Sequence, residues 1–535
     1  MIRTLALWLA HGGYVAMLGV NAVLIVVLLA FRWRELARST PPTPSPNGRL
    51  GRVVIALVIA ATAAALRWNL PASPQVLYDE LWYASIARHM RDAGDATPAI
   101  VRDRSGVAPA GETFRPPYPQ GWPWLESWTH GTPPWRGAVE LQRIVGVSAC
   151  VTLFLALAEE SLCGAAFAGM GLAVLPAFVR LSQGASAEGA SALFVVVALW
   201  AALSQRRQPG TAGLLLALAT LAWALHFRPE NGLYVALFAP LLVGARRPAA
   251  PAGDAAPRTE APSVPGLMPR LTACAVALFA AADALIMIDG AAGPYRADHF
   301  TAQPRPGFTT WQANMLANLT ENALFFVDGR VLPAWLTAAA ALGIVMLARE
   351  RRTRRLAFLL GWIGLFTLAL SPFPFGDFAA AHSLDTWRFS VQVSLPLLIL
   401  GAHGVDGAAR ALDRLPALAA AGGMALWMGL ATAAYWPFMT APRPHSPTWD
   451  DLARVTAADG LVAVNDDSIA VTLREGYSVD VVAWTSGPDP GARWLLVVGD
   501  EAPKAWRGIP LDLMWTTGPV ESGREGLTFY RRHGD

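Results

Sequence analysis

Charge is scarce in this chain of 535 residues: Asp, Glu, Lys and Arg make up 15% of it, against 54% hydrophobic residues. A soluble domain carries roughly a quarter charged residues, so the composition is that of a polytopic membrane protein. Lysine is nearly missing, with Lys504 alone beside 41 arginines, and the net charge is only +3. A nucleic-acid binder would cluster its basic residues on one face, so nucleic acid is excluded as a partner. The three cysteines, Cys150, Cys163 and Cys274, all lie in or beside apolar runs. They offer no disulfide framework to exposed loops and no metal-type spacing. No G-x-x-x-x-G-K-[ST] stretch supplies a nucleotide site, and no repeat of fixed period appears.

Long apolar runs are what the chain has instead. Twelve are expected as spans, at 13–31, 51–68, 139–158, 162–179, 189–204, 210–226, 230–245, 270–288, 331–348, 356–371, 389–404 and 416–436. The first ends in the basic cluster RWRELAR without an A-x-A-type cleavage site, so it reads as a retained span. Arginines orient the set. Loops 32–52, 159–161, 205–209, 246–270, 349–355 and 405–414 hold 18 arginines in 71 residues, a density that the opposite loops do not approach. The positive-inside rule makes this side cytoplasmic and places the N-terminus, the 69–138 loop and the C-terminal tail outside. Pro/Ala-rich stretches near 41 and 248 are connectors. In the tail, 437–535, GLVAVNDD, YSVDVVAW and RWLLVVG read as short strands after a helix over WDDLARVTAA, giving a small extracytoplasmic α/β domain.

Polar residues gather at the outer helix ends. In VLYDELWYASIARHMRDAG (76–94), Asp79 and Glu80 open a helix pattern that sets Trp82, Ile86, His89 and Met90 on one stripe, with Arg88 and Arg91 toward water. First-turn carboxylates also serve as plain helix caps. The rest of that loop, FRPPYPQGWPWLESWTHGTPPW, has prolines that forbid regular helix and aromatics suited to a headgroup-level belt or a saccharide groove. RLSQGASAEG places Glu188 at the head of the fifth span. HFRPEN sets His226, Arg228 and Glu230 between two short spans, where Arg228 and Glu230 either pair with each other or offer a guanidinium to phosphate. SPFPFGDFAAAHSLDTWRFS adds Asp377, His382, Asp385 and Arg388 beside the eleventh span.

Together these stretches resemble the GT-C membrane glycosyltransferases that use polyprenyl-phosphate-linked sugars, in particular the group of protein O-mannosyltransferases and lipid A aminoarabinose transferases, glycosyltransferase family 39. YDELWYASIARHM (78–90) and RLSQGASAEGASALFVVVAL (180–199) carry the likeness, HFRPENGLY (226–234) more loosely, over residues 50 to about 400. The extra first span and the small tail depart from it. The resemblance implies Asp79 as the active-site acid, Glu80 as its neighbour in the motif and Glu188 as the second acidic position. Arg228 and Arg388 are the donor-phosphate candidates by their outer-face location, with Tyr83, Arg88, Glu230, His382 and Asp385 lining the substrate site. No cofactor is firmly implied; Mg²⁺ or Mn²⁺ between Asp79 and Glu188 is compatible with oxygen ligands. The expected activity is inverting transfer of a sugar from polyprenyl phosphate to a hydroxyl of a glycan, lipid or protein, at the outer face of a bacterial cytoplasmic membrane and among its lipids. A multi-span transporter of a solute or lipid-linked saccharide is the alternative from another class, and a saccharide polymerase or ligase the enzymatic one.

Overall fold

The structure is a computed structural model whose described residues are 13–39, 46–72, 79–94, 120–131, 134–243, 332–371 and 383–411, with scattered positions in 315–326 and 428–436 and the strands of the tail with their neighbours. Among the described residues these α-helices run in chain order: α1 (Tyr14–Ser39), α2 (Pro46–Trp68), α3 (Asp79–Ala93), α4 (Gly121–Ser127), α5 (Pro134–Leu157), α6 (Leu162–Val174), α7 (Pro176–Arg180), α8 (Glu188–Arg207), α9 (Thr211–Leu225), α10 (Leu233–Val243), α11 (Ala334–Arg349), α12 (Thr353–Leu370) and α13 (Ser383–Ala411). Six contain segments long and apolar enough to cross a membrane, in α1, α2, α5, α8, α12 and α13; α6 with α7 and the turn after it makes a seventh if the bent pair is one span.

Of the twelve expected spans, 270–288 lies outside the described residues and 416–436 is described only in part. The other ten carry helix, but not all are long enough to cross. The 15 residues of α9 rise about 22 Å at 1.5 Å per residue, short of a hydrocarbon core of roughly 30 Å. It stops at the HFRPEN turn, from which α10 begins. Non-helical backbone at such depth is tolerated only where protein covers it, and His226, Phe227, Arg228 and Asn231 are all buried.

The bend between α6 and α7 is 49°. Leu175 leaves the helix at ψ 117 and Pro176, without an N–H, opens the next turn. The break frees carbonyls deep in the protein, and Arg67 answers one of them. Fully buried at the end of α2, its Nη1 donates to the Ala173 carbonyl at 3.2 Å and to the Ala63 carbonyl at 3.1 Å, and its guanidinium lies over the Phe178 ring.

Two apolar clusters form the interior. One joins α2, α5, α6, α8 and α10 to α11–α13; the other packs α1, α3, α4, α8 and α9 around Trp122, Trp124, Trp135 and Trp223. α11 and α13 cross through glycines. A Cβ on Gly343 would run into the Leu400 carbonyl, and one on Gly404 would lie 2.5 Å from the Ala339 carbonyl. Small residues at such crossings let helix backbones approach closely.

The arginine-dense loops that the structure describes share one end of the bundle; 246–270 lies outside the described residues. Arg207 pairs with Glu159, Arg355 with Glu160 at 2.6 Å, and Arg410 with Glu350 at 2.8 Å. Arg32 joins them from α1, its Nη2 donating to the Gln208 carbonyl at 2.8 Å. At the other end lie α3, α4 and the HFRPEN turn. The tail reaches that end too, since Arg474 Nη2 donates to Ser85 Oγ of α3 at 3.3 Å.

The three strand-like stretches of the tail supply β1 (Val462–Val464), β2 (Val481–Ala483) and β3 (Trp494–Val498), joined by β4 (Leu511–Thr516) and β5 (Leu527–Arg532). Their order is β2-β1-β3-β5-β4, with β1 parallel to both neighbours and β5 antiparallel to both of its own. The helix expected over WDDLARVTAA lies outside the described residues.

Candidate active site

The helix that opens with the acidic pair is sheathed in protein. Leu81 to Ala87 are buried without interruption, and Tyr83, Ile86 and Met90 pack into the tryptophan cluster. The amphipathic stripe is therefore only part of the covered surface, and α3 is held by α4 and the bundle rather than laid on lipid. Arg88 and His89 are half-buried and Arg91 is exposed. Asp79 is the first residue of α3, and its side chain is outside the described set. Glu80 is buried, with its carboxylate against Gly184. A Cβ on Gly184 would lie 2.5 Å from both Glu80 carboxylate oxygens. Gly184 has ordinary extended dihedrals, φ −119 and ψ 179, so this glycine is required by space and not by backbone conformation.

Two residues of α5 that the apolar pattern concealed hold the loop containing Gly184. Gln142 Nε2 donates to Ser186 Oγ at 3.0 Å. Arg143 donates through Nε to the Ser182 carbonyl at 3.4 Å and through Nη2 to the Leu70 carbonyl at 2.9 Å. Glu188 follows as the first residue of α8.

Arg228 comes from the turn after α9. Its Nη2 lies 3.1 Å from Glu188 Oε1 and its Nε 3.0 Å from Glu230 Oε1, with the three side chains 8%, 4% and 15% exposed. Arg228 and Glu230 do pair, as their spacing allowed, but the guanidinium also draws in Glu188 across 40 residues of sequence. Beneath it runs a polar network inside the bundle. Asn231 Nδ2 donates to Ser191 Oγ at 2.8 Å and to the Ala224 carbonyl at 2.7 Å; Gln392 Nε2 donates to Asn231 Oδ1 at 2.9 Å; and the Tyr234 hydroxyl donates to Gln392 Oε1. Charge-bearing turns at this depth need such support, because an unpaired buried polar group costs about 1–3 kcal/mol.

The proline-rich loop holds a surprise in α4. Its prolines were expected to exclude regular helix, yet Pro123 sits in the first turn, where no intrahelical N–H is needed. Gly121 N donates to the His226 carbonyl at 2.7 Å, tying α4 to the Arg228 turn. Trp122 and Trp124 are core residues, Trp124 meeting Trp223 edge-on at 5.5 Å, and only Trp128 of this group is exposed. Asp385 and Arg388 lie on the first turns of α13, Arg388 four residues before Gln392; their side chains, and all of Asp377 and His382, are outside the described residues. Among the described residues no three His, Cys, Asp or Glu side chains converge as cation ligands would; the Asp79 carboxylate, one of the two groups considered for Mg²⁺ or Mn²⁺, lies outside them.

The chain superposes on a crystal structure of ArnT from Cupriavidus metallidurans in the apo state with a TM-score of 0.51 and 14% identity, covering 90% of this chain and 98% of that one. The fold is that of ArnT. A second ArnT structure from the same organism, bound to undecaprenyl phosphate, gives a TM-score of 0.50 at 13% identity, over 91% of this chain and 98% of the other. No protein-family model and no curated protein matches the sequence. The GT-C resemblance drawn from the acidic motifs is met at the level of fold, and the ArnT fold brings Glu80, Glu188, Arg228 and Glu230 to one end of the bundle.

Proposed function

We propose that the protein is an inverting glycosyltransferase that moves a sugar from a polyprenyl phosphate to an acceptor hydroxyl, on the outer side of a bacterial cytoplasmic membrane. The observation that supports it most is the buried Glu188–Arg228–Glu230 arrangement, set at the end of the short α9 in a chain with the fold of ArnT; one of the ArnT structures is of a complex with undecaprenyl phosphate. A sugar on a polyprenyl phosphate already carries its leaving group. The acceptor oxygen attacks the anomeric carbon, the bond from that carbon to the phosphate oxygen breaks, and the phosphate monoester leaves with the bond's electron pair. The acceptor proton passes to a carboxylate of the acidic pair, Asp79 or Glu80. Arg228, with Arg388 from α13, neutralises the departing phosphate, and Glu188 and Glu230 hold the Arg228 guanidinium in place beforehand. One displacement inverts the anomeric centre.

The test is transfer by purified protein from a set of synthetic polyprenyl-phosphate sugars, with Asp79→Asn and Glu80→Gln beside the wild type. Consumption of one donor, and its loss by about 10²-fold or more in one of the two variants, is the expected scale for a positioned base. Movement of a solute across reconstituted vesicles with no donor consumed would replace this reading by that of a transporter.

A further inference from the structure

At the end of the bundle opposite α3, a cavity of about 630 Å³ opens between α8, α10, α12 and α13. Its rim and its wall differ in chemistry. Arg206, Arg351, Arg352, Arg354 and Arg355 line the rim, against the one carboxylate of Glu160. The wall is apolar, with Leu199, Leu203, Leu241, Phe358 and Ile399 running from the rim into the bundle. Internal pairing accounts for part of the positive charge: Glu160 takes Arg355 and Arg207, and Glu350 takes Arg352. Arg206, Arg351 and Arg354 face no carboxylate within 4 Å among the described residues. Arg351 also sits at φ 55, the one non-glycine residue with positive φ among the described residues. That conformation ends α11: the Arg351 N–H donates to the Ala348 carbonyl at 3.0 Å and the Arg352 N–H to the Leu347 carbonyl at 2.9 Å, a helix stop that turns both side chains onto the rim. The rim contains Thr353, the first residue of α12, so the positive end of an 18-residue helix adds to the same field.

We propose that this cavity binds an anionic phospholipid, with the phosphate on Arg351, Arg354 and Arg206 and an acyl chain along Leu199, Leu203 and Phe358. A free anion would use the rim and leave the apolar wall idle; a zwitterionic lipid would use the wall and leave three arginines without a partner. Only an amphiphile of net negative charge satisfies both. The rim is formed by loops that the arginine distribution assigns to the cytoplasm, where the leaflet carries anionic lipid. The site is distinct from the carboxylate–arginine cluster at the other end of the bundle, and nothing in the proposal depends on the reaction performed there.

The experiment uses the full chain, delipidated in detergent, and measures adducts by native mass spectrometry and melting by intrinsic fluorescence. The probes are phosphatidylglycerol, phosphatidylcholine of the same chains and inorganic phosphate. Phosphatidylglycerol is expected to form a one-to-one adduct and raise the melting temperature, and the other two to do neither. Arg354→Gln with Arg206→Gln should weaken that adduct by about thirtyfold, at about tenfold per 1.4 kcal/mol and about 1 kcal/mol per arginine near a surface. Leu203→Trp, which fills the wall and leaves the rim intact, should weaken it as well. Equal stabilisation by inorganic phosphate would make this an anion site without a lipid. Equal binding of phosphatidylcholine, or full retention of phosphatidylglycerol by both variants, would overturn the proposal.

Discussion

Alanine at position 184 separates the role of Glu80 from the stability of the fold. The new methyl would lie 2.5 Å from both Glu80 oxygens, whereas ordinary contact begins near 3.4 Å, so the carboxylate must withdraw by about 0.9 Å. What yields is the end of a flexible side chain and not backbone, at a cost of roughly 0.5–1.5 kcal/mol for an off-rotamer position. Alanine fits the local dihedrals and restricts the unfolded chain, returning roughly 0.4–1 kcal/mol. The net change in stability is within about 1 kcal/mol, or about 3 °C in melting temperature. A displacement near 1 Å at a reacting group, by contrast, costs about 10²-fold in rate. Gly184→Ala should therefore melt like the wild type and transfer sugar about a hundredfold more slowly. Combined with Glu80→Gln it should add little further loss, because both changes remove the same carboxylate from its place. A rate within twofold of wild type would refute the reasoning and leave Asp79 as the acid that matters. Fully additive losses would show that Gly184 acts on something other than Glu80.

Arg228→Leu leaves Glu188 and Glu230 buried beside an apolar side chain, and should destabilise the protein by about 3–5 kcal/mol, read as a large drop in melting temperature in detergent; Glu230→Gln should cost far less. Gln392→Leu strips Asn231 and Tyr234 of a partner, at about 1–3 kcal/mol, and its cost should be less than additive with that of Asn231→Leu in a double-mutant cycle of melts. Burial pushes the Glu160 carboxyl upward, but Arg355 and then Arg207 outweigh it and hold its pKa below the ordinary carboxylate value. A depressed folded-state pKa gives stability that is present above the unfolded value and is lost as pH falls through the folded one. Wild-type melting temperature should accordingly fall more steeply than that of Glu160→Gln once pH drops below the ordinary carboxylate range.

Residues whose role is local were readable in the sequence. Glu188 heads its helix as the change from RLSQGASAEG to an apolar run indicated, and Arg228 and Glu230 pair at a spacing of two. The three tail strands lay in the stretches rich in β-branched and aromatic residues. Residues whose partners are distant were not readable. Gln142, Arg143, Ser191, Asn231 and Gln392 sit in or beside runs whose apolar periodicity outweighs one polar side chain, and their partners lie 39 to 201 positions away, apart from bonds to near neighbours. The tryptophans of the first outer loop misled for a related reason. Trp122 and Trp124 look like an interfacial belt until a helix with its proline in the first turn folds them inward. Hydropathy likewise measures apolar length but cannot tell that α9, at 15 residues, stops short to lower a charged turn into the bundle.

The bend at Pro176 and the arginine that answers it impose an order of assembly. Neither is comfortable in lipid alone: the bent segment exposes backbone oxygens that a straight helix would satisfy, and α2 carries a guanidinium that needs acceptors. The chain is made from its N-terminus, so Arg67 is already in the membrane when residues 162–183 emerge. α2 thus acts as a template, and the bent span can settle only against it. A chain reordered to synthesise 162–183 before α2 would meet the bilayer with its break unanswered, and its insertion, rather than its final fold, would be what fails.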